Sequence, residues 1–299
     1  MQEIVKDNHF FVAAEAALWG RSISADSFFW RTLPPMSTIL FDKAVFGPIH
    51  SRRLGVSLGV NLLPVNGKVC SFDCLYCECG FSRREGGGGL SPLPTRTEVA
   101  RQLGSALKAM AAGGKRPDVI TFAGNGEPTL HPHFAEIMED TVDLRDRLAP
   151  DARICVLSNA TRLADPKVAD ALALTDEAIL KIDSGLEETV KRLDRPAPGY
   201  SLEDTVSRIV ALRDRLGDAL TIQTMFVSWE QDGVAYDNTS EADVAPWLDI
   251  LRRVAPPRLM IYTIARETPL QTMAKASPGA LDAVAARARE IVPEVSVSY

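Results

Sequence analysis

The chain has 299 residues, 46% hydrophobic and 24% charged, with a net charge of −6. That size suits a single α/β barrel and buries a core without covalent staples. The acidic balance argues against broad nonspecific binding to nucleic acid, while leaving a local basic patch open. No apolar run approaches the roughly 18–20 residues needed to span a bilayer, and Glu3, Asp7 and Glu15 make the short apolar start a poor signal peptide. A cytoplasmic protein with reduced thiols is therefore expected.

In chain order, residues 1–35 differ from the rest and end in Pro34-Pro35, directly before Met36. They read as an N-terminal extension, with Met36 a second candidate start and residues 36–299 one core domain. His50-Ser51-Arg52-Arg53-Leu54-Gly55 is basic, either a solvated turn or a contact for an anion. From about residue 55, β-rich runs alternate with helical patterns. The runs are 56–63, 119–124, 153–158, 178–183, 220–227 and 258–264, with a last short one at 295–299. Between them apolar residues recur at helical spacing, as at Val99, Leu103, Leu107 and Met110. Thr95-x-x-Glu98, Ser201-x-x-Asp204 and Ser240-x-x-Asp243 are cap signatures, and Ser277-Pro278 places proline at a first helical position. Alternating β and α elements imply a parallel sheet with helices outside it, and six units favour a full or partial barrel over an open sheet. Ligands of such folds bind at the carboxyl ends of the strands.

Four of the five cysteines fall within residues 70–79, on the loop after the first β-run. Cys155 stands apart in an apolar strand and reads as a small buried hydrophobe. The core spacing is Cys70-x3-Cys74-x2-Cys77. Structural zinc sites usually draw four ligands as two separated pairs, and no second pair is present; His9, His50, His131 and His133 lie elsewhere. Three thiolates on one loop suit a cubane cluster with one iron lacking a protein ligand. Cys79, one residue beyond Cys77, has little chain with which to reach another corner and is favoured as a non-ligand. The stretch 84–94, rich in Gly and Pro, is either a flexible connector or a mobile lid.

Three further segments sit at strand ends. Gly124-Asn125-Gly126-Glu127-Pro128 couples glycines that admit close backbone approach to a carboxylate suited to an ammonium group. Ser158-Asn159-Ala160-Thr161 offers small polar groups for ribose hydroxyls or a carboxylate, or else a turn. Lys181 and Asp183 alternate with Ile182 and so share a face, as a ligand contact or as an internal ion pair. Arg195, Tyr262 and Arg266 are weaker substrate-pocket candidates.

The three-cysteine spacing with Tyr76 before Cys77 resembles the radical S-adenosylmethionine (SAM) superfamily, and the Gly124–Glu127 segment resembles that superfamily's glycine–glycine–glutamate motif. The resemblance implies a partial (β/α)6 TIM-like barrel. It implies a [4Fe–4S] cluster on Cys70, Cys74 and Cys77, and SAM held by Tyr76, Gly124, Asn125, Gly126, Glu127, Ser158 and Asn159. Lys181 and Asp183 are the candidate catalytic pair. Reductive cleavage of SAM to a 5′-deoxyadenosyl radical, hydrogen abstraction from an unidentified substrate, and an electron donor such as flavodoxin or ferredoxin are likewise implied.

Phe46-Gly47-Pro48, Ser51-Arg52-Arg53-Leu54-Gly55, Cys70-x-Phe72-Asp73-Cys74-x-Tyr76-Cys77, Gly126-Glu127-Pro128-Thr129-Leu130 and Lys181-Ile182-Asp183 are similar to a group related to the wyosine-base-forming tRNA enzymes. With no cysteine before Cys70 or after Cys155, this chain lacks the ligands for a second cluster. Three readings stay open: a single-cluster enzyme on an unknown substrate, a tRNA modifier or protein activase, and a zinc- or cluster-binding module without SAM chemistry.

Overall fold

The computed structural model describes residues 39–51, 54–82 and 89–299. The expected extension 1–35, Met36, Arg52, Arg53 and most of the glycine run lie outside the described residues.

The described chain begins with a hairpin that the sequence reading did not contain. Strand β1 (Val45–Ser51) pairs antiparallel with β2 (Gly55–Val60). Their close contact depends on Gly59, where a Cβ would lie 2.1 Å from the Phe46 ring. Helix α1 (Arg96–Ala112) follows, capped by Thr95, whose side chain accepts from the Glu98 amide. Its buried stripe is Val99, Leu103, Leu107 and Met110, with Gly104, the spacing seen in the sequence. Next come β3 (Val119–Phe122), α2 (Phe134–Leu148), β4 (Arg153–Ser158), α3 (Pro166–Leu172), β5 (Glu177–Lys181), α4 (Glu187–Leu193) and α5 (Leu202–Leu216). Ser201 caps α5 through the Asp204 amide.

Strand β6 (Leu220–Met225) is buried along its whole length. The expected run 220–227 is broken after Met225. Val227 already belongs to β7 (Val227–Gln231), which joins β8 (Val234–Asp237) and the short β10 (Ala274–Lys275) in a separate three-stranded sheet. An apolar run carries no mark of the point where a chain leaves one sheet for another. Helix α6 (Glu241–Val254), β9 (Arg258–Tyr262), α7 (Pro278–Ala288) and β11 (Glu294–Ser298) complete the order. The Ser240 side chain makes no cap bond to the backbone of α6; its hydroxyl donates to Asp243 Oδ2 at 3.1 Å.

The main sheet runs β1-β2-β3-β4-β5-β6-β9-β11, parallel from β2 onward, with β1 as an antiparallel edge. Six β/α units followed by a last strand give a partial TIM-like barrel. Strands buried on both faces form its wall, which explains their near-continuous apolar sequences. A core of residues such as Leu103, Phe122, Phe134, Ile222 and Trp247 joins strands to helices. A second apolar cluster unites the cysteine loop (Phe72, Leu75, Tyr76) with Val227 and Trp229 of the small sheet and with Ile264 and Leu270. The small sheet thus buttresses the cysteine loop beside the barrel.

Candidate active site

The cysteine loop leaves the barrel after β2 and is pinned at several points. Val69 forms a parallel bridge with Gly126: its amide donates to Asn125 O at 2.9 Å and its carbonyl accepts from Glu127 N at 3.1 Å. Further along, Asp73 N donates to Asp194 O and Leu75 N to Leu193 O, both at 2.9 Å, while Ser71 O accepts from Ala197 N at 2.8 Å. The loop is therefore held by the segments after β3 and after α4.

It opens on a cavity of about 230 Å³ at the carboxyl ends of the strands. Cys70, Cys74 and Cys77 line one side with Lys68, Phe72 and Tyr76; Gly124, Gly126 and Glu127 follow from β3, and Ser158 and Asn159 from β4. Lys181, Gln223 and Tyr262, from β5, β6 and β9, close the wall. All three expected cluster cysteines reach this cavity. Cys79 does not line it; its Sγ donates to Gly124 O at 3.3 Å. Cys155 is fully buried in β4.

The three thiols differ in environment. Burial, with the charge of Glu127, pushes Cys70 up to about 12. Burial raises Cys74 well above the usual thiol range, with Asp194 adding to it. The neighbouring Cys79 thiol, joined by the charge of Lys68, outweighs burial at Cys77 and brings it down to about 6.

Glu127 is 3% exposed. One carboxylate oxygen accepts from Thr129 N at 3.2 Å, Thr129 Oγ1 at 2.5 Å and Ser158 Oγ at 2.8 Å; the other accepts from Asn159 N at 2.7 Å. Burial raises its pKa and these bonds oppose the rise. Asn159 extends the network, donating from Nδ2 to Ser71 Oγ at 2.9 Å, with Cys70 Sγ 3.6 Å away. The glycines beside Glu127 are required. A Cβ at Gly126 (φ +135°) would lie 1.8 Å from Val69 O, and one at Gly124 2.4 Å from Asn61 Oδ1.

Asn125, expected among the cofactor contacts, is placed differently. Its side chain is completely buried and points away from the cavity, donating to Phe41 O (2.9 Å) and Pro64 O (2.8 Å) and accepting from Phe41 N (2.9 Å). Its amide ties down the segment before β1, through Phe41, and the loop after β2, through Pro64, so only its backbone stands near the site.

Tyr76 lines the cavity with its ring and sends its hydroxyl into a buried charge cluster. There it meets Lys181 and Asp183, and donates to Asp194 Oδ1 at 3.1 Å. Lys181 Nζ is 2.8 Å from Asp183 Oδ2 and 3.8 Å from Asp194. Asp183 Oδ1 also accepts from Met225 N at 2.9 Å. Lys181 and Asp183 are thus an internal ion pair, of which only Lys181 reaches the cavity. Burial, with the charge of Asp183, raises Asp194 well above the usual carboxylate range.

Of the weaker candidates, Tyr262 lines the cavity, Arg195 lies 3.6 Å from Asp73 and over the Phe81 ring, and Arg266 pairs with Glu78. His131 and His133 lie by the segment before α2, His131 Nε2 against Pro94 O. The described end of the glycine connector is tied to loop 64–67, with Asn66 bonded to Gly89 O and Ser91 N. Two cavity residues with long polar side chains escaped the sequence reading. Lys68 is a lone cation two positions before the first cysteine, and Gln223 is the one amide side chain in β6.

A family model of the radical SAM superfamily matches residues 67–230. The chain is 31% identical over 229 residues to the UPF0026 protein slr1464 of Synechocystis sp., covering 76% of this chain and 78% of that relative. Among solved structures it is similar to a radical SAM methyltransferase from Sphaerobacter thermophilus, at TM-score 0.59 and 17% identity over 81% of this chain and 66% of that one. It is also similar to SuiB of Streptococcus suis bound to S-adenosylmethionine, at TM-score 0.55 and 13% identity over 81% and 50% of the two chains. The chain spans half to two thirds of the length of these two structures, and at such identities the likeness is one of fold.

Proposed function

The chain belongs to the radical SAM superfamily, enzymes whose cofactors are a [4Fe–4S] cluster and SAM, and from that premise we propose that it cleaves SAM reductively at the cavity walled by its cysteine loop. The observation that carries this reading is the meeting of three cysteines of one loop with the buried carboxylate of Glu127 in a single cavity at the strand ends.

The residues fit the cofactors. Three thiols of one loop on one cavity wall are the donor set that a cubane takes on separate irons. Cys70, Cys74 and Cys77 would hold the cluster, leaving one iron open. Glu127 Oε2 accepts a single bond, from Asn159 N, and so keeps one lone pair for an ammonium group. Gly124 and Gly126 bring backbone close to the ligand, and Ser158 and Asn159 place polar groups beside it. Tyr76 supplies a ring face steadied through its hydroxyl by Lys181 and Asp183. A [4Fe–4S] cluster and SAM held by these residues would supply one-electron reductive cleavage of SAM and, from it, a radical able to take hydrogen from a substrate.

The substrate is unidentified, and a flavodoxin- or ferredoxin-like protein is the proposed electron source. The structural likeness to archaeal TYW1 is distant and carries no assignment to tRNA. Among the described residues no helix is long and apolar enough to cross a membrane.

The test is anaerobic reconstitution followed by iron, zinc and sulfide analysis and an assay for 5′-deoxyadenosine with a chemical reductant. About four irons per chain and SAM cleavage are expected, both lost when Cys70, Cys74 and Cys77 are replaced by alanine. Zinc without labile sulfide, or cleavage surviving the triple substitution, would overturn the reading.

A further inference from the structure

Lys68 has no part in the roles assigned above, yet it is one of the two lysines that line the cavity. Its side chain is 1% exposed. A buried ammonium is costly unless its charge and its three donors are matched. Lys68 Nζ donates to Asp73 Oδ1 at 3.2 Å and Gly80 O at 3.1 Å. Both bonds go to the cysteine loop.

Lys181, the other lysine of the cavity, has two carboxylates, Asp183 and Asp194, within 4 Å. Asp73 is shared: its Oδ1 serves Lys68 and the Ser82 amide, and its Oδ2 faces Arg195 Nη2 at 3.6 Å. Lys68 is thus a buried cation on the wall that carries the three cysteines, with a carboxylate partner that it shares with Arg195.

We propose that Lys68 is a positioning residue that fastens the cysteine loop through Asp73 and Gly80 and, through its buried charge on the cavity wall, raises the reduction potential of the cluster held there. This rests on the cluster reading given above. A thiolate-bound cluster is anionic and gains negative charge with the electron it accepts, so a fixed neighbouring cation favours the reduced form. The electron comes from the external one-electron donor, and Lys68 keeps its proton throughout.

The experiment compares Lys68→Met, Lys68→Arg and Asp73→Asn with the unaltered chain after anaerobic reconstitution without SAM. Iron and sulfide are counted, and the cluster is titrated with a low-potential one-electron reductant followed by electron paramagnetic resonance. In Lys68→Met the reduced-to-oxidised ratio at a fixed potential is expected to fall at least tenfold, which is 59 mV for one electron. Lys68→Arg keeps the charge and stays within about threefold of the unaltered chain. Asp73→Asn removes the counter-charge and moves the potential upward, a sign that loosening the loop would not produce.

Full iron and sulfide in Lys68→Met with an unmoved potential would overturn the proposal, as would equal falls for Met and Arg. Should Lys68→Met load no cluster, Asp73→Asn decides: an upward shift supports the role, and no shift or a downward one refutes it. Failure of the unaltered chain to load iron and sulfide strikes the cluster reading itself, and the Lys68 role with it.

Discussion

Replacing Gly126 by alanine tests how the cysteine loop is anchored. The added Cβ would sit 1.8 Å from Val69 O and 2.5 Å from Val69 C, both backbone atoms, so no side-chain rotation relieves the clash. Relief requires opening the Val69–Gly126 bridge. That gives up the bonds Val69 N to Asn125 O and Glu127 N to Val69 O, each contributing about 0.5–1.5 kcal/mol net. Alanine held at φ +135° adds strain of about 1–3 kcal/mol. The expected loss is about 4 kcal/mol, read as a lower urea midpoint of the metal-free chain, with impaired cluster loading after reconstitution. Gly114→Ala is the control: its φ is +65° and nothing lies within 4 Å of the added Cβ, so it bears left-handed strain alone, about 1–2 kcal/mol. If Gly126→Ala proves no less stable than Gly114→Ala, the anchoring role of the bridge is refuted.

Glu127 gives a pH dependence. Burial raises its pKa, while an ammonium ligand needs the ionised form. SAM affinity by calorimetry should therefore be full above the raised pKa and fall with pH as it is crossed, at a pH above the ordinary glutamate value of about 4.3. Glu127→Gln should bind SAM at least about tenfold more weakly, a loss of about 1.4 kcal/mol, and without that pH dependence. A dependence retained in the Gln variant would point to another group. Cys79→Ala should keep the iron and sulfide content of the unaltered chain, because Cys79 Sγ is turned to Gly124 O outside the cavity wall; loss of iron would make it a ligand. Asn125→Ala removes three hydrogen bonds, one buried and two part-buried, and should cost about 2–4 kcal/mol in urea unfolding. A change below about 1 kcal/mol would mean that the 39–44 segment is held by other contacts.

Much of this site is legible in the chain because its chemistry is local. The spacing Cys70-x3-Cys74-x2-Cys77 puts three thiols on one loop whatever surrounds them. The alternation of strands and helices places that loop, Glu127 and Asn159 at the same end of a parallel sheet, since every β/α unit returns the chain in one direction. The caps at Thr95, Ser201 and Ser277 were equally local, each a hydroxyl within three residues of the amide it accepts from.

Which polar groups face the cavity was a different matter. Asn125 lies between two residues that line the site, yet its amide is claimed by Phe41 and Pro64, 84 and 61 residues away. Tyr76 meets Lys181 and Asp183 more than 100 residues on. Lys68 and Gln223 enter the wall through the packing of strands that sequence spacing does not relate. Residue types and short-range spacing determined that this chain carries a three-cysteine loop on a β/α barrel, because a few neighbouring residues suffice to specify thiol density, caps and periodicity. Only the tertiary structure decided which side chains share the cavity and which charges are paired there. Orientation and burial depend on long-range register and close packing, which are properties of the assembled sheet.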